Sequence, residues 1–210
     1  MKFSGEITAA LGADKRLSHW GPYEWITDPA QADSYMKMLW ADVSERPMVG
    51  VHVEYHFNQV CVVQLATDRL GLVLDALALQ ADVMQAILQP LLEYGRLCKV
   101  FHGDCNNLSW LASYFGIVVS EPTFDTATIA QQLCETWEEG PPSLQLVCRR
   151  YLSYEMDNTY QTADWRQRPL PAEMLEYAAI DAQILLPLQA AIEDAMKSRA
   201  CGHHWEKSFL

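Results

Sequence analysis

Met48-Val49-Gly50-Val51-His52-Val53-Glu54, the run from Gln59 to Leu65 and the run from Gly71 to Leu74 read as three short strands with turn residues between them. Strands at such short spacing are expected to pair as an antiparallel meander. From residue 76 the period changes. Leu77, Val83, Ile87, Leu88, Leu91 and Leu92 suit a helix, and Cys98-Lys99-Val100-Phe101 is a short apolar strand leading into a second helix over 104–115. Strand, helix, strand, helix adds parallel strands to the meander. The expected fold class is therefore α/β, a mixed central sheet of antiparallel meander plus parallel strands, flanked by helices.

Outward from this centre, residues 1–47 read as an N-terminal extension. Within it Asp28-Pro29 starts a helix, and Ala32, Tyr35, Met36, Leu39 and Trp40 fall at the spacing of one helical face, so the helix is expected to cover one side of the sheet. On the C-terminal side, Phe124-Asp125-Thr126 starts a helix to about Cys134, and Ser143 caps another to about Tyr151. Residues 152–170 form a polar loop, and Pro171 begins a last long helix, bent near Pro187. The main domain spans 48–196, followed by a tail over 197–210.

The 210 residues are 50% hydrophobic and 20% charged, with no Ser, Gly or Pro-rich linker, which fits one globular domain. No apolar run approaches the roughly 20 residues of a membrane helix, and the first residues lack the apolar core of a signal peptide. An intracellular protein without membrane contact is expected. Its six cysteines are scattered without CxxC pairing and read as reduced core thiols. Fifteen basic against 27 acidic residues give a net charge of -12, the wrong sign for a protein whose main task is to hold a polyphosphate backbone. Any nucleic-acid contact must be local or helped by metal ions.

Four places carry chemistry. His52-Val53-Glu54 lies on the first strand, and His102-Gly103-Asp104-Cys105-Asn106-Asn107-Leu108-Ser109-Trp110-Leu111 follows the fourth. Asp164-Trp165-Arg166-Gln167-Arg168-Pro169-Leu170 fills the loop, and Tyr177-Ala178-Ala179-Ile180-Asp181 lies on the last helix. Together with Phe124-Asp125-Thr126 and Ser143-Leu144, over about residues 48–195, these resemble the ribonuclease D-like 3′–5′ exonucleases, the DEDDy branch with a tyrosine in its last motif. The resemblance implies an RNase H-like α/β fold. It also implies hydrolysis of a terminal phosphodiester by two metal ions, Mg²⁺ or Mn²⁺, held by four carboxylates. In that pattern the tyrosine helps to orient the attacking water.

Position by position, Glu54 matches the glutamate of the first motif, Tyr177 the tyrosine and Asp181 the last aspartate. Tyr177 and Asp181 are four apart, so a helix puts both on one face. The position of the first aspartate is His52 and that of the middle aspartate is Asn107, the latter fixed in register by Trp110-Leu111 and Tyr114-Phe115-Gly116. Asp104 lies about a helical turn from the middle position, too far for a metal site that tolerates a few tenths of an ångström, and reads as a helix N-cap. A neutral imidazole brings no charge and suits oxygen-loving Mg²⁺ poorly. Two-metal catalysis is therefore expected to fail. Asn107 and His52 are expected to hydrogen-bond to the two remaining carboxylates. A second possibility is a one-histidine, two-carboxylate site of His52, Glu54 and Asp181 for Zn²⁺ or Mn²⁺.

Arg149, Arg150, Arg166 and Arg168 are the densest basic grouping, with phosphate contact or ion-pair anchoring as the two readings. Cys201, His203 and His204 look like metal ligands but lack a second pair, and fit a disordered tail. Trp20, Tyr23, Trp25 and Trp40 offer a stacking platform as one reading, with core cover or a subunit interface as the other. The expected function is a pseudo-nuclease domain acting as a protein-interaction or scaffold subunit in an RNA-processing or RNA-regulatory complex, with a homodimer also possible. The alternatives are a non-cleaving adaptor for single-stranded RNA and an active exoribonuclease with an altered metal site.

Overall fold

The computed structural model describes residues 22–133 and 140–206, and of 104–106 and 200–206 only the backbone. The sheet has six strands: β1 (Tyr23–Ile26), β2 (Met48–His56), β3 (Gln59–Ala66), β4 (Gly71–Asp75), β5 (Cys98–Phe101) and β6 (Thr123–Asp125). Their order is β1-β4-β3-β2-β5-β6. The meander β2-β3-β4 is antiparallel, while β1 runs parallel to β4, β5 to β2 and β6 to β5. The mixed sheet expected from the sequence is present.

Helix α1 (Pro29–Glu45) starts at Asp28, whose carboxylate accepts the Gln31 N–H at 2.9 Å, with Pro29 in the first turn. It buries Ala32, Met36, Leu39 and Val43. Helix α2 (Ala76–Leu92) is capped by Asp75 and changes direction at Gln80, whose φ is 65°. Helix α3 (Asp104–Phe115) follows β5 directly. These three helices cover one face of the sheet. Helices α4 (Thr126–Leu133), α5 (Leu144–Leu152), α6 (Ala172–Gln183) and α7 (Leu185–Glu206) occupy the other.

Alternation along β2 divides its side chains between the two layers. Val49, Val51 and Val53 enter the core beneath α1 to α3, so Gly50, His52 and Glu54 point to the α6 side.

Four elements differ from the sequence expectation. Tyr23–Ile26, inside the stretch read as an extension, is an edge strand whose Ile26 is fully buried. Thr123–Asp125 is a strand rather than a helix start, and α4 begins one residue later. Runs of three or four residues are too short to show a period. The last long helix is two helices that meet at Ile184. Pro187 has no N–H to offer the Gln183 carbonyl, so the ladder breaks one turn before the proline. Finally, α7 continues to Glu206 through most of the stretch read as a tail, whose residues 207–210 lie outside the described ones.

Cys61 and Cys148 are buried free thiols and Cys98 is a half-buried one. Burial pushes the Cys61 thiol up to about 11, so it stays protonated. Cys105, Cys134 and Cys201 lie outside the described side chains. No helix among the described residues is long and apolar enough to cross a membrane.

Candidate functional site

A cleft of about 690 Å³ opens at the end of β2, and His52, Glu54, His102, Asn107, Tyr177 and Asp181 all line it. His52 and Glu54 come from alternate positions of β2; Tyr177 and Asp181 come from successive turns of α6. Gly50 permits this meeting. A Cβ at that position would stand 2.4 Å from the Ala182 carbonyl oxygen, so only glycine lets the end of α6 settle on β2 and bring Asp181 against His52.

His52 Nε2 lies 3.6 Å from Glu54 Oε1 and 3.7 Å from Asp181 Oδ2. Both carboxylates are buried, with Glu54 7% and Asp181 4% exposed. Burial raises the Asp181 carboxyl to about 8, the Glu54 charge adding to the effect and the His52 charge opposing it. Burial alone lowers the His52 pKa, but Glu54 beside it and the Asp181 charge together outweigh that, so the imidazole gains affinity for its proton. Tyr177 is held far above the usual phenol range, first by burial and then by the charges of Asp181 and Glu54.

Asn107 behaves differently from expectation. Its amide nitrogen donates to the backbone carbonyls of His102 at 3.3 Å and Gly103 at 3.4 Å, rather than to a carboxylate. The start of α3 claims it, because the first turn after a left-handed Gly103 (φ 66°) leaves those carbonyls turned towards the side chain. Gly103 also takes the N-cap position that the sequence assigned to Asp104, which is the first helical residue instead.

Two groups, one in the cleft wall and one behind it, escaped the sequence reading. The His102 ring spans Thr126 Oγ1 at 2.9 Å and the Pro142 carbonyl at 3.0 Å, and burial lowers its pKa to about 4, so it is a neutral wall residue. Gln64 stands directly opposite His52 on β3, is fully buried, and has neither amide atom hydrogen-bonded. His52 Nδ1 is likewise buried without a partner. A single polar residue inside Val60-Cys61-Val62-Val63-Gln64-Leu65 was the available signal for Gln64.

The four arginines do not gather at the cleft, and none of them lines it. Arg149 pairs with Glu155 at 2.7 and 2.6 Å, and Arg166 with Asp164 at 2.9 and 2.8 Å. The Arg166 hydrogen bonds hold the Asp164 carboxyl far below its usual range. Arg168 pairs with Asp75 and also donates to the carbonyls of Trp165, Gln167 and Cys61. Arg150 sits on the exposed side of the last turn of α5. Ion-pair anchoring, one of the two sequence readings, describes Arg149, Arg166 and Arg168. Of the aromatic set, Tyr23 and Trp25 pack on the cluster around Trp165, and Trp40 packs on the core with Tyr94 edge-on at 5.8 Å. Trp20 lies outside the described residues, as do the side chains of Cys201, His203 and His204.

Two carboxylates, an imidazole and an amide make a poor seat for two Mg²⁺ ions. Mg²⁺ demands near-octahedral oxygen ligation, and here the His52 nitrogen stands between the remaining carboxylates. Two negative charges also cannot balance two divalent ions in a buried site.

The sequence pattern of the 3′–5′ exonuclease family matches residues 23–197, a span that takes in β1 and α1. The chain is 34% identical over 158 residues to human exosome complex component 10, which covers 73% of this chain and 17% of that protein. It is 29% identical over 167 residues to ribonuclease D of Nitrobacter hamburgensis, covering 77% of this chain and 42% of that one. The chain thus spans less than half the length of either relative. The catalytic core of RRP6 from Trypanosoma brucei superposes with a TM-score of 0.72 at 26% identity, over 90% of this chain and 51% of that one. With its mixed six-stranded sheet, its cleft at the end of β2 and this match over nearly all described residues, the chain belongs to the 3′–5′ exonuclease family.

Proposed function

We propose that this domain has lost the two-metal cleavage of its family and serves as a protein-interaction subunit of an RNA-processing assembly. The observation that carries this reading is the pair of replacements in the cleft. His52 and Asn107 stand at two of the positions where the family resemblance calls for carboxylates, and the Asn107 amide is turned to the backbone. Of the four positions only Glu54 and Asp181 keep an acid, and the net charge of -12 works against holding a phosphate backbone. The kinship with a protein named as an exosome component supports a place in a complex.

The test is a 3′-end assay with labelled single-stranded RNA and Mg²⁺ or Mn²⁺, alongside a pull-down from native cells. The purified chain is expected to leave the RNA intact and to retain RNA-processing proteins. His52→Asp together with Asn107→Asp is expected to restore nucleotide release. Release by the unchanged chain that disappears in Asp181→Ala overturns the loss of cleavage.

A second reading, a non-cleaving RNA adaptor, is favoured by Phe57. This ring is 79% exposed at the β2–β3 turn on the cleft rim, with the Arg166 guanidinium 5.1 Å from its centre. An exposed aromatic beside a cation suits base stacking. Salt-sensitive RNA binding that is lost in Phe57→Ala selects this reading over the first.

A further inference from the structure

We infer that His52, Glu54 and Asp181 form a binding site for one zinc ion, with Gln64 as the residue that orients the histidine. One oxygen or nitrogen from each of the three side chains lies within 4.8 Å of the others. The His52 Nε2 contacts, 3.6 Å to Glu54 and 3.7 Å to Asp181, are too long for hydrogen bonds. They are close to the edges of a metal tetrahedron: bonds of about 2.0–2.2 Å set neighbouring ligands about 3.3–3.6 Å apart. A contraction of about 0.2 Å on the two edges that meet at His52 is within ordinary side-chain adjustment. One imidazole and two carboxylates neutralise Zn²⁺ in full, whereas Mg²⁺ accepts nitrogen poorly.

The second, independent observation is the pair of orphaned groups behind the histidine. His52 Nδ1 has no partner, and directly opposite it in the β2–β3 register stands Gln64, fully buried with both amide atoms unpaired. Buried polar groups are rarely left so. Directly opposed side chains on antiparallel strands have Cβ atoms about 4.5–5.5 Å apart, so a rotation of either brings Gln64 Oε1 to the Nδ1–H. That hydrogen bond fixes the tautomer with its lone pair on Nε2, aimed at the carboxylates, as metal-binding histidines require. The fourth coordination position faces the cleft, where water or a phosphate oxygen completes the shell.

The test uses the full chain, stripped with a chelator and titrated with Zn²⁺ by calorimetry, and with Co²⁺ by absorption spectroscopy. The expected result is one equivalent of Zn²⁺ at this site, with the intense visible bands of tetrahedral cobalt. Binding falls at least about 100-fold in His52→Ala, and about 10–100-fold in Gln64→Leu as for other outer-shell partners. His52→Asn, which keeps a polar side chain in the strand, serves if the alanine variant does not fold. Zinc binding that is absent from the native chain, or unchanged in both His52 variants, overturns the site; the latter result assigns the metal to the cysteines and histidines elsewhere in the chain. Metal binding is read here without any nuclease assay, so RNA cleavage by the chain would overturn the proposed loss of activity and leave the zinc site standing.

Discussion

The guanidinium of Arg168 grips the carboxylate of Asp75 through two hydrogen bonds of 2.7 Å each, Nε to Oδ2 and Nη2 to Oδ1. The same Asp75 Oδ1 accepts the backbone N–H groups of Leu77 and Ala78, so one carboxylate both caps α2 and anchors the loop that precedes α6. Above the pair, Arg168 lies 5.6 Å over the Trp25 ring of β1. An arginine for which the sequence left phosphate contact and ion-pair anchoring open is thus a tie between the sheet edge and the loop that holds α6, and with it Asp181, in place.

Stability follows from that tie. Asp75 is nearly buried, with its side chain 3% exposed, and removal of Arg168 strands its charge. Arg168→Ala is expected to lower unfolding stability by about 3 kcal/mol, and Arg168→Lys by less, since a single ammonium cannot replace the two-pronged contact. Arg166→Ala, whose partner Asp164 is half exposed, is expected to cost under about 1 kcal/mol. Urea unfolding of the three variants checks the order, and equal losses would refute the anchoring role.

Gly50 offers a second lever on the same geometry. Gly50→Ala drives a methyl group to within 2.4 Å of the Ala182 carbonyl and must lift α6 from β2. The expected cost is about 1–3 kcal/mol, typical of overpacking, together with a wider His52 to Asp181 gap. Thermal unfolding and a comparison of the Asp181 environment by NMR test both parts. An alanine variant as stable as the parent would mean that α6 does not rest on the strand.

Much of this was legible beforehand for local reasons. The strand alternation that turns His52 and Glu54 to one side, the four-residue step from Tyr177 to Asp181, and the caps at Asp28 and Ser143 are all short-range patterns that a sequence carries openly. What escaped was either too short or too distant. Strands β1 and β6 have too few residues to display a period. Arg168 and Asp75, or His52 and Gln64, meet only because the sheet folds them together, and no spacing along the chain announces such a pair.

Magnesium should leave the protein almost unmoved. An ion that binds only the folded state adds RT ln(1 + [L]/Kd), so a Kd above about 10 mM yields under about 0.1 kcal/mol at about 1 mM ion. Restoration of the acidic set by His52→Asp with Asn107→Asp is expected to bring a clear Mg²⁺-dependent rise in melting temperature. A comparable rise in the unchanged chain would show that the cleft still holds Mg²⁺ despite its imidazole and amide.

Three groups of the cleft give the metal-free protein, kept so by a chelator, opposed responses to pH. Asp181 is raised from 3.8 to about 8, first by burial, so the folded chain keeps a proton that the unfolded chain has already released. Its contribution to stability is therefore full below pH 3.8 and is lost as pH rises through about 8. His52, raised from 6.5, acts in the same sense over the alkaline part of that window. His102 is lowered from 6.5 to about 4 by burial, so its contribution is present above pH 6.5 and is lost as pH falls through about 4. Each limb has a slope of at most about 1.4 kcal/mol per pH unit for one proton. From these groups, stability should be nearly level between about pH 4 and 6.5, where the limbs oppose each other, and should fall above that. Asp181→Asn is expected to flatten the alkaline fall and expose a rise from pH 4 to 6.5, whereas His102→Gln is expected to expose a steady decline that begins near pH 4. Urea unfolding across this range decides the matter: an Asp181→Asn profile parallel to that of the parent would show that Asp181 is ionised in the folded protein at neutral pH.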